Sequence, residues 1–233
     1  MLNRLLIFIS YMLLFTCSNA QRVIDVDKFD GSAMTLLKSV GGEPFSSARF
    51  VRVVDGSPYF TDQWLKGSVY VEESEYRNVL LRLNIFETTL EFKDVKGEVM
   101  VCTQPVKKVA LRDSASGSSY NFVHSSFLPT SSEFKNCWLL ELVAGNVSLY
   151  KLAKKQINEV RPYGSATAEQ HITTNYSYFI LQNNNFTRIR KIGDIFEILS
   201  NKKNELQEYI KVNKLSSKDE SDFVKLISYY NSL

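Results

Sequence analysis

The chain has 233 residues, of which 28 are Lys or Arg and 25 are Asp or Glu, and 44% are hydrophobic. This hydrophobic fraction excludes an intrinsically disordered chain, and the 10 Gly and 5 Pro exclude a collagen-like or low-complexity fibre. The 3 Cys are too few for a disulfide-dense mini-protein. A globular chain of one or two domains with a sizeable core remains, and its net charge of +3 gives no reason to expect nucleic acid as a partner.

The first twenty residues have the three parts of a secretory signal peptide. Arg4 precedes an apolar run over residues 5–15, and the small-x-small sequence Ser18-Asn19-Ala20 follows it. The run is shorter than the stretch of about 20 apolar residues that spans a bilayer, and no later segment is long enough, so no transmembrane span is expected. We therefore predict a signal peptide over residues 1–20, cleavage after Ala20, and an exported protein that is periplasmic or extracellular.

Which cysteines remain in the mature protein depends on this cleavage. Cys17 resembles the lipidated cysteine of a bacterial lipoprotein, which is the alternative for the N-terminus, although Thr16 is a poor residue before such a cysteine. Cleavage after Ala20 leaves Cys102 and Cys137. Two cysteines in an exported protein predict one disulfide between them. The alternative is two buried free thiols, which pack as small hydrophobic side chains.

The dominant signal between residues 49 and 192 is that of β-strands, after a lead-in segment at residues 21–48 where residues 33–40 allow a short helix. In residues 76–86, apolar side chains recur at every second position, which is the period of a strand. Turn sequences separate such runs by about 8–12 residues, which predicts an antiparallel meander, closed as a barrel or stacked as a sandwich. The predicted strands are residues 50–54, 67–71, 76–86, 90–93, 98–103, 106–111, 120–124, 137–143, 147–152, 176–182 and 186–192.

The hydrophobic period becomes helical from residue 193. Ile195 and Leu199 lie one helical turn apart, and Ser217-Lys218-Asp219-Glu220 matches a capping box before a last helix with an apolar stripe. Helices this short are marginal on their own. We therefore predict a mainly β protein in which residues 193–233 form two or three short helices that pack on the β domain of residues 49–192.

The sequence contains no recognisable motif for catalysis, a metal or a cofactor, so none of these is predicted. His124 and His171 are its only histidines, and C-x-x-C, H-E-x-x-H, G-x-S-x-G and Walker patterns do not occur. Acidic residues at 72, 73 and 75 surround a hairpin tip and are expected to face water. Two stretches are densest in positive charge and are interpreted as solvated strand faces: Lys151, Lys154 and Lys155, and Arg188, Arg190 and Lys191.

Aromatic residues give the one indication of a binding surface. Tyr59, Phe60, Trp64 and Tyr70 fall within one short stretch. Exposed aromatic rings bind sugars or peptides, so Tyr59, Trp64 and Tyr70 are candidate ligand-binding residues. The alternative is that these rings pack in the sheet, because β-strands favour aromatic residues.

Three stretches together resemble one known group of proteins. The first runs from Gly56-Ser57-Pro58-Tyr59 through Gly67-Ser68-Val69 to Asn78-Val79-Leu80-Leu81-Arg82-Leu83-Asn84-Ile85, the second is Leu90-Glu91-Phe92-Lys93, and the third extends from Tyr209-Ile210-Lys211 through Asn213-Lys214-Leu215 to Ile227-Ser228-Tyr229-Tyr230-Asn231. They are similar to a family of secreted Bacteroidetes proteins of unknown function, whose members often carry Tyr where this chain has Leu83. The resemblance implies an exported β-rich protein and brings no catalytic residues.

Three hypotheses for function follow from these observations. The first is an exported, non-catalytic β-rich envelope protein that binds a protein, glycan or lipid partner. The second is a hydrolase whose site is assembled from scattered acids and Ser or His. The third is a lipid or lipoprotein carrier with a half-open barrel, which rests on an analogy of fold alone. An apolar cavity would favour the carrier, converging acids would favour the enzyme, and a filled core would favour the binding protein.

Overall fold

The computed structural model describes residues 22–25, 40–44, 51–131, 134, 136–215 and 218–233. The predicted signal peptide, its cleavage after Ala20 and the alternative lipidation of Cys17 lie outside these residues. The same holds for the predicted helix at residues 33–40, apart from Val40, and for Ser217 of the predicted capping box.

Thirteen strands of the described chain form one sheet. Most follow the predicted runs to within a few residues. Their bounds are β1 Arg22–Asp25, β2 Glu43–Pro44, β3 Val51–Asp55, β4 Leu65–Val71, β5 Ser74–Asn84, β6 Thr89–Lys93, β7 Val99–Val101, β8 Lys108–Arg112, β9 Ser119–His124, β10 Trp138–Val143, β11 Val147–Val160, β12 Ala168–Gln182 and β13 Asn185–Ile189.

The strands pair in the order β13-β12-β11-β10-β9-β8-β4-β5-β6-β7-β2, and the pairs along this path are antiparallel. The prediction of a mainly antiparallel β protein is confirmed. Two pairs outside the path are parallel, β1 with β5 and β3 with β12, which corrects a purely antiparallel meander. The described strands form one continuous sheet, which is not closed into a barrel.

One cluster of buried apolar side chains, the main core, draws on strands that are far apart in the sheet. It joins β6 to β10, although four strands separate these two in the order of the sheet, so the sheet must bend around it. Phe60 packs edge-on against Tyr120 and Phe122, with ring centroids 4.8 and 4.9 Å apart. Members of the main core include Leu65, Val69, Val79, Leu81, Leu83, Leu90, Phe92, Val109, Leu111, Phe122 and Trp138.

About half of each of the strands β11 and β12 lies beyond the run predicted from the sequence. They pair continuously from Val147 opposite Gln182 to Val160 opposite Glu169. Residues 154, 156 and 158–160 on β11 are exposed, so this half of the strand shows little of the apolar alternation that marks a half-buried strand. Backbone pairing between β11 and β12 continues through this half, because strand pairing does not require an apolar face.

Three helices follow the last strand: α1 Ile192–Ile198, α2 Lys203–Asn213 and α3 Glu220–Ser232. Asp219 caps α3 by accepting a hydrogen bond from the backbone N–H of Ser221 at 2.8 Å, so the cap lies two residues after the predicted Ser217. Phe223, Leu226 and Ile227 of α3 are buried with side chains of β11, β12 and β13. No helix of the described chain is long and apolar enough to cross a membrane.

Candidate functional site

The open side of the sheet leaves a seam, defined here as the line along which the β5–β6 turn, residues 85–88, faces Asn136 and β11. Three cavities lie along it. We call them the basic groove, of about 570 Å³, the indole cavity, of about 360 Å³, and the small cavity, of about 90 Å³. Thr88 and Asn136 line both the basic groove and the indole cavity, and Trp138 lines both the indole cavity and the small cavity.

The basic groove collects cations from two strands that are not adjacent in the sheet. Lys154 and Lys155 come from β11, and Arg188 comes from β13. Among the described residues that line the groove there is no carboxylate, and the neutral polar groups include three side-chain amides. The lining residues are Ile85, Phe86, Thr88, Phe134, Asn136, Cys137, Leu152, Ala153, Lys154, Lys155, Gln156, Asn175, Ser177 and Arg188.

One of these cations, Arg188, is oriented by a local contact. The guanidinium of Arg188 donates a hydrogen bond to the hydroxyl of Ser177 at 2.9 Å, which fixes its direction. Burial lowers the pKa of Lys155, and the negative charge of Asp62 opposes this shift. None of the three cations forms an ion pair with a residue that the structure describes. Lys155 directly follows Lys154 on β11, so the two side chains point to opposite faces of the sheet, and Lys155 also lines the small cavity.

Lys151, from the same basic stretch of the sequence, has a different role. Its ammonium group lies 2.6 Å from a carboxylate oxygen of Glu220 and 4.1 Å from the ring centre of Tyr176. Lys151 thus ties β11 to the start of α3, and its charge is already balanced. The prediction of a solvated strand face does not describe this residue.

Two of the three candidate aromatic residues come together, at a place outside the seam. The guanidinium of Arg82 lies 4.0 Å from the ring centre of Tyr59 and 4.6 Å from that of Trp64. Glu91 holds it with hydrogen bonds of 2.9 and 2.7 Å and also accepts the Tyr59 hydroxyl at 3.1 Å. Burial and the charge of Glu91 raise the pKa of Tyr59 to about 12. Arg82 thus covers one face of each ring.

The third candidate, Tyr70, belongs to a separate polar cluster. Its hydroxyl donates to Glu75 at 2.9 Å, and Arg77 donates to the other oxygen of the same carboxylate at 2.9 Å. Glu75 is only 6% exposed, so of the acids at the β4–β5 hairpin this one turns inward and does not face water as expected. Hydrogen bonding by Arg77 lowers the pKa of Glu75, and burial raises that of Tyr70.

The predicted disulfide is not formed, since Cys102 and Cys137 are free thiols. Cys102 packs against the main core and lines the indole cavity, and burial raises its pKa to about 12. Cys137 lines the basic groove, and its thiol donates to the carbonyl of Phe134 at 3.3 Å. Each thiol is thus held by its own surroundings, and the alternative prediction of two free thiols describes them.

Sequence reasoning named the groove cations but did not place them together. Lys154, Lys155 and Arg188 all fall in the two basic stretches. The signal that would have joined them is the hairpin turn at Asn183-Asn184, because it puts residues 178–182 opposite residues 185–189. Pairing of β12 with an extended β11 then brings Lys154 opposite Asn175.

The fold and the groove define the class of the protein: a mainly β chain with one open sheet, C-terminal helices packed on it, and a basic groove at the seam of the sheet. No family model, curated protein or solved structure matches the chain.

Proposed function

We propose that the protein is an exported, non-catalytic binding protein of the cell envelope whose ligand is an anionic glycan held in the basic groove. The observation that carries the proposal is that Lys154 and Arg188 lie on the same face of strands that both pair with β12, and that no carboxylate is among the groove's described lining residues. A cleft lined by charge of one sign attracts a ligand of the opposite sign and raises its rate of association. Export and the similarity to secreted Bacteroidetes proteins stay predictions and enter the proposal as such.

The neutral groups of the groove favour a glycan among the three partner classes. Asn136, Gln156 and Asn175 supply amides, and Thr88 and Ser177 supply hydroxyls, all of which can bond to sugar hydroxyl groups. Phe86 is 46% exposed at the rim and offers a ring face to a sugar. A lipid would be expected in an apolar interior, whereas side chains fill the main core.

The two alternatives have less support. A carrier needs an apolar cavity, and the cavities of about 570 and 360 Å³ both include many polar lining residues. A hydrolase needs carboxylates or a nucleophile free to act, and the buried Glu75 and Glu91 are both held in ion pairs. Both alternatives stay hypotheses.

Charge reversal in the groove tests the proposal. Binding of a panel of anionic and neutral oligosaccharides to the full chain is measured by calorimetry. We expect binding of anionic members only, weakened about tenfold or more, or about 1.4 kcal/mol, by the double variant Lys154→Glu/Arg188→Glu. Raising the ionic strength from about 0.1 to 1 M should also weaken it, because the Debye length falls from about 10 to 3 Å.

The matched control reverses two exposed cations on α2, Lys203→Glu/Lys211→Glu, and so changes the net charge equally. It should leave the affinity within about twofold of the parent, or about 0.4 kcal/mol. Equal losses in both double variants, or equal affinity for neutral and anionic sugars, would refute the groove as the site.

A further inference from the structure

Strand β3 lies at an edge of the sheet and is exposed along its whole length. It pairs in parallel with β12, and no other strand of the described chain pairs with it. Val51, Val53 and Val54 are 36%, 45% and 47% exposed, so this short strand presents three apolar side chains at the surface. An edge strand that exposes apolar side chains is a template for pairing with a further strand.

A bulge in β3 changes which of its side chains share a face. Arg52 pairs with Glu169 of β12, whereas Asp55 pairs with His171, so Val54 is an extra residue in β3. Glu169 and His171 are two positions apart on β12 and therefore lie on the same face of the sheet. Their partners Arg52 and Asp55 lie on that face too, although residues three apart in a regular strand lie on opposite faces.

The sequence of β3 is complementary in charge to a second copy of itself. When Arg52-Val53-Val54-Asp55 is aligned antiparallel with the same four residues of another chain, each Arg52 lies opposite an Asp55 and each valine lies opposite a valine. Opposite charges and β-branched side chains at opposed positions stabilise a pair of strands. The edge therefore fits a second copy of this chain.

The bulge makes this alignment compatible with twofold symmetry. Two antiparallel strands of one sheet are related by a twofold axis perpendicular to the sheet, and such an axis keeps each side chain on its own face. In a regular strand Arg52 and Asp55 would lie on opposite faces, so a symmetric pair could not bring them together. Because the bulge places both on one face, two equivalent ion pairs can form.

The two charged side chains are accessible for this contact. Arg52 is 66% exposed and bonds one carboxylate oxygen of Glu169, which uses only part of its guanidinium. A guanidinium has five N–H donors, so Arg52 can bond a second carboxylate as well. Asp55 is exposed and forms no ion pair with a residue that the structure describes.

We propose that two copies of the chain pair through β3, antiparallel and with twofold symmetry, so that Arg52 of each copy bonds Asp55 of the other. The pairing joins the two sheets into one and covers exposed valines. Two strands of five residues bury less than the area of about 1,200 Å² at which stable interfaces begin, so the dimer should dissociate on dilution. The inference goes beyond the proposed function and does not depend on it, because the groove cations take no part.

An exchange of charge between two variants tests the pairing. Sedimentation velocity of the full chain at concentrations up to about 1 mM should show monomer and dimer in exchange. Arg52→Asp opposes two acids at both ends of the pair, and Asp55→Arg opposes two arginines there, so each variant alone should dimerise at least about tenfold more weakly. An equimolar mixture of the two variants should recover the dimer, because opposite charges meet again at both ends.

A variant at the centre of the pair leaves the ion pair of Arg52 with Glu169 in place. Val53→Lys removes an apolar contact and adds a charge at the edge, so it should also weaken the dimer about tenfold or more. A parent chain that is monomeric at about 1 mM overturns the proposal. Variants at 52 and 55 that dimerise like the parent, or a mixture of them that stays as weakly associated as each alone, overturn it too.

Matched controls change charge away from β3. Lys203→Asp and Glu208→Arg make the same changes of net charge at exposed positions of α2, and each should dimerise within about twofold of the parent. The groove variant Lys154→Glu/Arg188→Glu should keep the dimer while losing anionic ligands. Failure of the dimer and failure of the groove can therefore be told apart.

Discussion

The side-chain hydroxyl of Thr88 donates a hydrogen bond to the backbone carbonyl of Asn136 at 3.2 Å and so joins the two sides of the seam. Both residues have left-handed backbone conformations, with φ of 60° and 67°. Asn is one of the residues that adopt this region, but a β-branched residue such as Thr is a rare exception there. The turn thus holds a strained residue at the boundary between the two larger cavities.

Two substitutions at Thr88 separate the strain from the hydrogen bond. Thr88→Val keeps the β-branched shape and removes the donor, so it should lower the free energy of unfolding by about 1 kcal/mol. Thr88→Gly also removes the donor but relieves a strain of about 1–3 kcal/mol. Denaturant unfolding should therefore find the Gly variant more stable than the Val variant. The reverse order would contradict a strained turn.

The ion pair of Arg82 and Glu91 is the most buried in the described chain, with side-chain exposures of 18% and 1%. Glu91→Ala leaves the guanidinium between Tyr59 and Trp64 without its counter-charge. We expect the free energy of unfolding to fall by about 3–5 kcal/mol, measured by chemical denaturation. A loss within the range of a surface ion pair, below about 1 kcal/mol, would show that the pair is solvated.

The double variant Arg82→Met/Glu91→Leu is the control for this prediction. Replacing both charges by apolar side chains of similar volume removes the unpaired charge, so the double variant should be more stable than Glu91→Ala alone. If it is less stable, the stacking of Arg82 on the two rings contributes more than the ion pair.

The parts of the fold that sequence predicts well are those where local pattern and burial agree. In β5, Val79, Leu81 and Leu83 alternate and are all buried. The turn at Asn183-Asn184 is a hairpin, as predicted, and both residues have positive φ, which Asn tolerates. Strands β1 and β2 have only four and two residues, which is too short for a detectable alternation of apolar side chains. Strand β1 joins the sheet by backbone pairing with β5.

The candidate site is harder to predict because it depends on register. Lys154 and Lys155 lie on the polar half of β11, where side-chain pattern gives little information. Arg188 joins them only when β11, β12 and β13 pair in the observed register.

The last helix is fixed to the sheet by a side chain that replaces a backbone partner. Asn231 donates to the carbonyl of Val147 at 2.8 Å and accepts its N–H at 3.0 Å. Asn231→Ala leaves both groups unpaired and should lower the free energy of unfolding by about 1–3 kcal/mol. Gly145→Ala should also destabilise, because the added Cβ would lie 2.5 Å from the Asn231 amide nitrogen.

A double-mutant cycle checks that the two effects share one contact. In the Asn231→Ala background the clash is absent and only the strain of the positive φ at Gly145 remains, so Gly145→Ala should be less destabilising there than in the parent chain. A coupling of about 0.5 kcal/mol or more is expected for side chains in contact. Strict additivity in thermal or denaturant unfolding would mean that the helix docks independently of Asn231.

His124 should make stability depend on pH in a defined direction. Burial lowers its pKa in the folded protein below the ordinary value of about 6.5, so the unfolded chain binds the proton more tightly. The contribution of the neutral ring is therefore complete above about pH 6.5 and is lost as the pH falls through the folded-state pKa. The free energy of unfolding, measured by urea denaturation, should decrease as the pH is lowered from about 7.5 to 5.

His124→Asn isolates this contribution, because an Asn side chain can still accept the N–H of Ser126 and keep the cap of the 3-10 turn at Ser125–Phe127. The free energy of unfolding of the variant should depend less on pH. As the pH falls, the parent should therefore lose more stability than the variant. His171→Asn, which replaces the other histidine of the chain, should retain the part that His124 supplies. If His124→Asn keeps the full dependence, the burial of the ring does not hold it neutral in the folded protein.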